Sequence, residues 1–238
     1  MIKNDNTNFL SATAIIDSDN SEIIDYTKTI LDGTSDDHVE KAVKLYYTVR
    51  DGIWYDPYLP FHLPEHFRAS HVLKSGRGFC IGKASLLCAV GRAAGIPIRV
   101  GFANVRNHLS TKQFLDFLGK DIFVYHAYVE FYLEDQWVRA TPAFNVELCR
   151  KHNVAPLEFN GREDSLFHPY DADNRKFMEY LEYHGTYADI PVDAIVSAWE
   201  DAYGKERVAE WIRLWEESGV LKQRDFFTEE VINKSINS

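Results

Sequence analysis

Gly76-Arg77-Gly78-Phe79-Cys80-Ile81-Gly82-Lys83-Ala84 sets two glycines ahead of a cysteine that opens an apolar run. From Cys80, the positions Ala84, Leu87, Cys88, Gly91 and Gly95 recur on one face at helical spacing. Gly95 and Pro97 then end the helix. A thiol in the first turn lies beside the partial positive charge of the helix N-terminus, which favours thiolate. The spacing therefore predicts a cysteine nucleophile. The competing reading is a structural thiol, because free cysteine is among the most buried residue types. The glycine approach and the helix start favour the nucleophile.

Outward from this helix, Asn20 or Ser21 caps a helix through Leu31, and Ser35 caps a second one through Asp51-Gly52. Residues 1–18 read as an arm with one strand-like piece at Ala12-Thr13-Ala14-Ile15-Ile16. The aromatic, proline-rich run Trp54 to Pro60 is a packed loop. After Pro97 the period changes to two: Ile98, Val100 and Phe102 alternate with Arg99, Gly101 and Ala103, which is a strand. Ser110 caps a short helix through Leu118. A long strand runs from Ile122 to Leu133, and Glu134-Asp135 turns it into 136–141.

A two-residue turn there sets Glu130 opposite Arg139 and Tyr128 opposite Thr141, a register that an opposite-charge pair supports. It also makes His126 a diagonal neighbour of Thr141 on one face. An odd-length loop would break that relation. Helices are predicted over 173–184, 191–203, 204–218 and 226–236. With no internal repeat or composition break, residues 1–238 read as one domain, with a core at about 70–145 and a helical C-terminal elaboration over 171–238.

The composition excludes several classes. A formal net charge of −10 argues against binding nucleic acid, whose phosphates would repel the chain. No apolar run approaches the roughly 20 residues of a membrane span. Three cysteines (Cys80, Cys88, Cys149) are few and odd in number, and Cys80 and Cys88 stand about 12 Å apart along one helix, too far to bridge. A reduced, cytoplasmic protein is the simplest expectation. His62, His66 and His71 do not make a metal site, since Pro64 interrupts the helix such a face would need. No metal or other cofactor is expected.

Four motifs occur in order: Gly78-Phe79-Cys80, Arg92-Ala93-Ala94-Gly95-Ile96-Pro97-Ile98-Arg99, His126-Ala127-Tyr128-Val129-Glu130 and Trp137-Val138-Arg139-Ala140-Thr141-Pro142. Together they resemble the transglutaminase-like superfamily. The resemblance implies an α+β, papain-like fold in which a helix carrying the cysteine packs on an antiparallel sheet carrying a histidine. It maps Cys80 to the nucleophile and His126 to the base. The family commonly has an aspartate before the proline where this chain has Thr141. A threonine accepts a hydrogen bond but carries no charge, so it would orient His126 while supporting the imidazolium less.

The implied activity is cleavage or transfer at an amide bond of a peptide or small amide, through an acyl-enzyme. The competing reading is a degenerate domain that binds a peptide or a partner protein. Candidates for a replacement acid are Asp164 and Asp171. Glu130 lies about 13 Å along the strand from His126, out of reach, and Asp121 falls on the opposite face. Asn107, Asp164 and Asp171 are candidate substrate-binding residues; Arg106, Asn107 and His108 cluster just past a core strand and either bind a substrate carboxylate or form a solvated loop, the loop being slightly favoured. Trp54 and Tyr55 read as packing aromatics, with an oxyanion or cleft-wall role as the alternative.

Overall fold

The computed structural model describes residues 6–218 and 220–233. Helix α1 (Ser21–Leu31) starts where Asn20 Oδ1 accepts the Glu22 amide, and α2 (His38–Gly52) where Asp37 Oδ1 accepts that of Glu40. Each cap satisfies a donor that the first turn leaves open. Ser35, expected as the second cap, instead donates its hydroxyl to the Glu40 carboxylate. Strand β1 (Trp54–Tyr55) pairs in parallel with β2 (Arg77–Gly78), with α3 (Ala69–Ser75) between them in sequence. From β2 the chain enters α4 (Cys80–Ala93) after a single residue, Phe79.

The one-sided apolar stripe expected of α4 understates its burial: every residue from Ile81 to Arg92 is buried. The main sheet covers one side and α1, α2 and α3 pack on the other. Close approach to the sheet needs Gly91, where a Cβ would meet Ile98 at 3.1 Å and Phe131 at 3.4 Å. The helix flank is thus spent on packing, and its first residue, half-buried Cys80, is left at a cleft.

The chain continues through β3 (Ile98–Asn107), β4 (Leu109–Thr111), α5 (Lys112–Leu118), β5 (Ile122–Leu133), β6 (Gln136–Ala140), α6 (Val146–Lys151), β7 (Met178–Tyr187), α7 (Val192–Tyr203), α8 (Lys205–Arg213) and β8 (Val231–Asn233). The main sheet is antiparallel, in the order β6-β5-β3-β7, and β4 pairs with β8. The fold is therefore α+β, with helices packed on an antiparallel sheet and α7 and α8 added near the C-terminus.

Several expectations change. The hairpin holds its register, Glu130 opposite Arg139, but the ladder ends at Val129–Ala140. Thr141 instead donates its amide to Ser165 O at 3.0 Å, so it does not face Tyr128 across a pair. The helix expected over 173–184 is strand β7. Tyr180, Leu181 and His184 fit a helical stripe too, but the open edge of β3 offers a ladder to a tyrosine-rich segment. That partner also extends β3 to Asn107, beyond the expected end at Ala103. The helix expected over 226–236 is a short 3-10 turn (Phe226–Thr228) and then β8; residues 234–236 lie outside the described residues. Thr111 rather than Ser110 caps α5, accepting the Phe114 amide at 3.1 Å. The piece at 12–16 is not a strand; Ile15 and Ile16 are buried and donate their amides to the Asp189 carboxylate.

One buried cation organises the corner that leads to the cleft. Lys83 Nζ donates to Arg50 O at 2.7 Å and to Ile53 O at 2.6 Å. Asn145 Nδ2 donates to the same two carbonyls, both at 2.8 Å, and its Oδ1 accepts the Tyr55 amide. This clasp fixes Tyr55 beside the α4 N-terminus.

Burial draws the Lys83 pKa down to about 7, against an opposing pull from Asp51. The folded chain thus binds this proton less readily than the unfolded chain, whose lysine titrates at about 10.4. Stability rises with pH wherever the unfolded state binds more protons. Between about pH 7 and 8.5, wild-type stability is expected to gain on the order of 1–2 kcal/mol from Lys83. From about pH 8 upward the three thiols, raised by burial, oppose it in wild type and variant alike, so the difference in slope isolates Lys83. Urea unfolding of wild type and Lys83→Met at the two pH values checks this: the variant's pH slope should be lower by that amount, and equal slopes would contradict it.

Candidate active site

Cys80 enters the cleft from the first residue of α4. The backbone amides of Ala127, Ile81 and Cys80 itself lie close enough to the sulfur to favour its charged form, so it sits near the peptide that follows His126. Those donors favour thiolate, but burial outweighs them and pushes the thiol up to about 11. The acidic thiol expected from the helix N-terminus is therefore corrected: desolvation of the charged form exceeds the pull of the helix end. Tyr55 and Tyr203 stand close enough to Cys80 that a charge on the sulfur raises both phenols.

His126 comes from β5, opposite Ala103 of β3, and lines the same cleft as Cys80. Its placement depends on a bulge. The register shifts between Ala103 and Val105, so that Val124 and Tyr125 oppose the single residue Asn104. Tyr125 takes φ 57°, a left-handed conformation that a bulky side chain adopts only when held there.

Helix α7 supplies the hold. Trp199 Nε1 donates to Val124 O at 2.8 Å; the Tyr203 hydroxyl accepts the Val124 amide at 2.9 Å and donates to Ile122 O at 3.0 Å. Asn104 Oδ1 accepts the Tyr125 amide at 3.1 Å. Bulges of this kind re-aim a side chain, and the side chain that follows this one is His126.

The imidazole is 4% exposed and packs on the Phe167 ring, centroid to centroid 4.9 Å. Burial draws its pKa down to about 3. Its Nε2 is buried without a hydrogen-bond partner, while the Thr141 and Tyr180 hydroxyls lie beside one another. Unpartnered buried groups are few in folded proteins, and each requires an explanation.

Thr141, the expected orienting group, is buried but makes no hydrogen bond to the imidazole and does not line the cleft. The two acids considered in its place are committed elsewhere. Asp164 Oδ1 accepts the Arg139 amide at 2.8 Å beside the terminal strand β6. Asp171 accepts the amides of Asp173 and Arg175 and the Arg175 guanidinium; burial tends to raise its carboxyl, but Arg175 holds it below its ordinary value. Asn107 sits buried at the end of β3, and neither it nor Asp164 nor Asp171 lines the cleft. Arg106 and His108 both reach Glu179 of β7, at 3.3 and 3.4 Å. Among the described residues, no group of His, Cys, Asp and Glu is arranged to hold a metal, and no helix is long and apolar enough to cross a membrane.

The helix expected over 191–203 is present as α7, but its role in bracing β5 was not legible in the sequence. Trp199 and Tyr203, four residues apart, share a helix face, but nothing in their spacing tells a core stripe from one that braces a strand. Tyr55 is in the cleft, as one of its two earlier readings had it, whereas Trp54 packs on Phe227 with ring centroids 5.1 Å apart.

A family model described as the transglutaminase-like superfamily matches residues 24–142, half of the chain. No curated protein matches. Among solved structures, a candidate cysteine protease of Cytophaga hutchinsonii is similar at 17% identity with a TM-score of 0.45, covering 78% of this chain and 55% of that one. A candidate protease of Parabacteroides distasonis is similar at 17% identity with a TM-score of 0.39, covering 57% of this chain and 26% of that one. The chain thus spans about half or less of the length of these two relatives.

With the thiol held up by burial, iodoacetamide labelling of Cys80 is expected to quicken steadily from pH 7 and to show no plateau below about pH 11. Mass-spectrometric rates at that site check this. A plateau already reached at pH 7 would contradict a neutral resting thiol.

Proposed function

The chain belongs to the transglutaminase-like superfamily, and we propose that it cleaves or transfers at an amide bond of a peptide or small amide, using Cys80 as nucleophile and His126 as base. One observation carries this reading: a half-buried thiol at a helix N-terminus and a buried imidazole line the same cleft, with backbone amides close to the sulfur. Residues 1–238 act as one domain in this proposal, since β7 completes the sheet and α7 braces the strand that carries His126.

The resting pair is neutral, a thiol beside an imidazole, because burial penalises charge on both. In the first step Sγ attacks the carbonyl carbon, and the thiol proton passes to the imidazole, through Nδ1 in this proposal, since Nε2 is buried. The amides of Cys80, Ile81 and Ala127 are the donors available to the developing oxyanion. The C–N bond then breaks, and the imidazolium gives its proton to the departing amine. Water attacks the thioester, its proton returning by way of His126 to Sγ, and the carboxylic acid leaves. Water is the acceptor favoured here, no second amine site being evident among the described residues; an amine in its place would give transamidation.

A second reading has its own support. Among the described residues no carboxylate hydrogen-bonds His126 to sustain an imidazolium, and Thr141 does not replace it. In that reading the cleft binds a peptide or partner protein and performs no acyl transfer.

Exposure to an activated phenyl ester separates the two. The enzyme is expected to release the phenol and to show one acyl adduct on Cys80 by intact mass. Cys80→Ala should show none, and His126→Gln should lower the acylation rate by about 10²- to 10⁴-fold. Equal rates in wild type and both variants would favour the binding domain.

A further inference from the structure

The cleft beside Cys80 is walled by Phe114, Phe117, Leu118, Phe123, Trp211 and Leu221. These come from α5, the start of β5, α8 and the segment beyond it, so the cleft is a composite of distant parts of the chain. Among the described residues no Asp, Glu, Lys or Arg lines it.

Most of its hydroxyls are already committed. Tyr58 donates to Glu229 at 2.7 Å, and Tyr203 is held by Ile122 and Val124. Tyr125 has the Tyr187 phenol as a partner. Tyr55, beside the sulfur, is the remaining hydroxyl. A carboxamide or a charged group placed here would lose water and find little to replace it, which is costly.

Size narrows the choice further. The cavity measures about 70 Å³, less than half of the ~150 Å³ that accommodates a benzene in an apolar protein cavity.

We propose that this cleft selects a substrate whose acyl part carries a branched aliphatic side chain next to the carbonyl, of leucine or valine type, over glutamine, charged groups and large aromatics. The inference rests on the acyl-transfer reading above and names the group that the acyl-enzyme retains. Shape and dryness do the selecting. An apolar group fills the cavity at no polar cost, a carboxamide leaves its own donors and acceptors unpaired, and a phenyl ring needs the wall to move.

The test is a set of N-acyl amino-acid vinyl sulfones differing only in side chain (leucine, phenylalanine, glutamine, lysine and aspartate). The second-order rate of adduct formation at Cys80 of the full chain is measured for each, with iodoacetamide as a reagent that needs no cleft. The leucine probe is expected to react about 10- to 100-fold faster than the glutamine probe, faster still than the charged ones, and faster than the phenylalanine probe. Equal rates across the set, with iodoacetamide still labelling Cys80, would overturn the selection while leaving acyl transfer in place. No adduct at Cys80 from any reagent would overturn both.

Discussion

Helix α4 has no exposed flank, and the rest of the fold follows from that constraint. Burying a whole helix is simple where its side chains are apolar, but α4 also carries Lys83 and Arg92. Each finds carbonyl partners at an end of the helix. Lys83 reaches the α2–β1 corner, and Arg92 donates to the carbonyls of Ser11, Ile98 and Ala188. Buried cations without such partners would be strongly destabilising. The helix is therefore fixed along its axis as well as around it, and its first residue meets β5 at a set height. Cys80 is held against the Ala127 amide by this packing, not by a partner of its own.

The histidine side is fixed differently. A regular β5 would carry a constant alternation from Ile122 to Leu133; the bulge at Val124–Tyr125 interrupts it immediately before His126. Holding tyrosine at positive φ costs free energy, and four hydrogen bonds from Asn104, Trp199 and Tyr203 offset it. The C-terminal helices are thus joined to the core chemistry: one face of α7 braces the strand, and together with α8 it helps to roof the cleft.

The cysteine helix, the long hairpin and the Glu130–Arg139 register were legible because each follows from local rules: spacing, turn chemistry and charge pairing. So was the family, through motifs in a fixed order. What was not legible depends on long-range contacts. Strand β7 satisfies two periodicities, and only the open edge of β3 decides between them. Nothing near Asp164 in sequence reveals that the Arg139 amide already occupies its carboxylate, whereas Arg175, which occupies Asp171, stands only four residues away. The charge state of the site was misread for the same reason. A helix N-terminus is visible in sequence, whereas the aromatic wall that dries the sulfur is assembled from remote segments.

The central claim is that the sulfur of Cys80 and the imidazole of His126 reach one another across one cleft. Treatment with 1,3-dibromoacetone, a three-carbon reagent that loses two bromides as it bridges two nucleophiles, tests this most directly. Peptide mapping is expected to find a single bridge joining Cys80 to His126. A reagent attached to Cys80 alone, or a bridge from Cys80 to some other residue, would contradict the pairing.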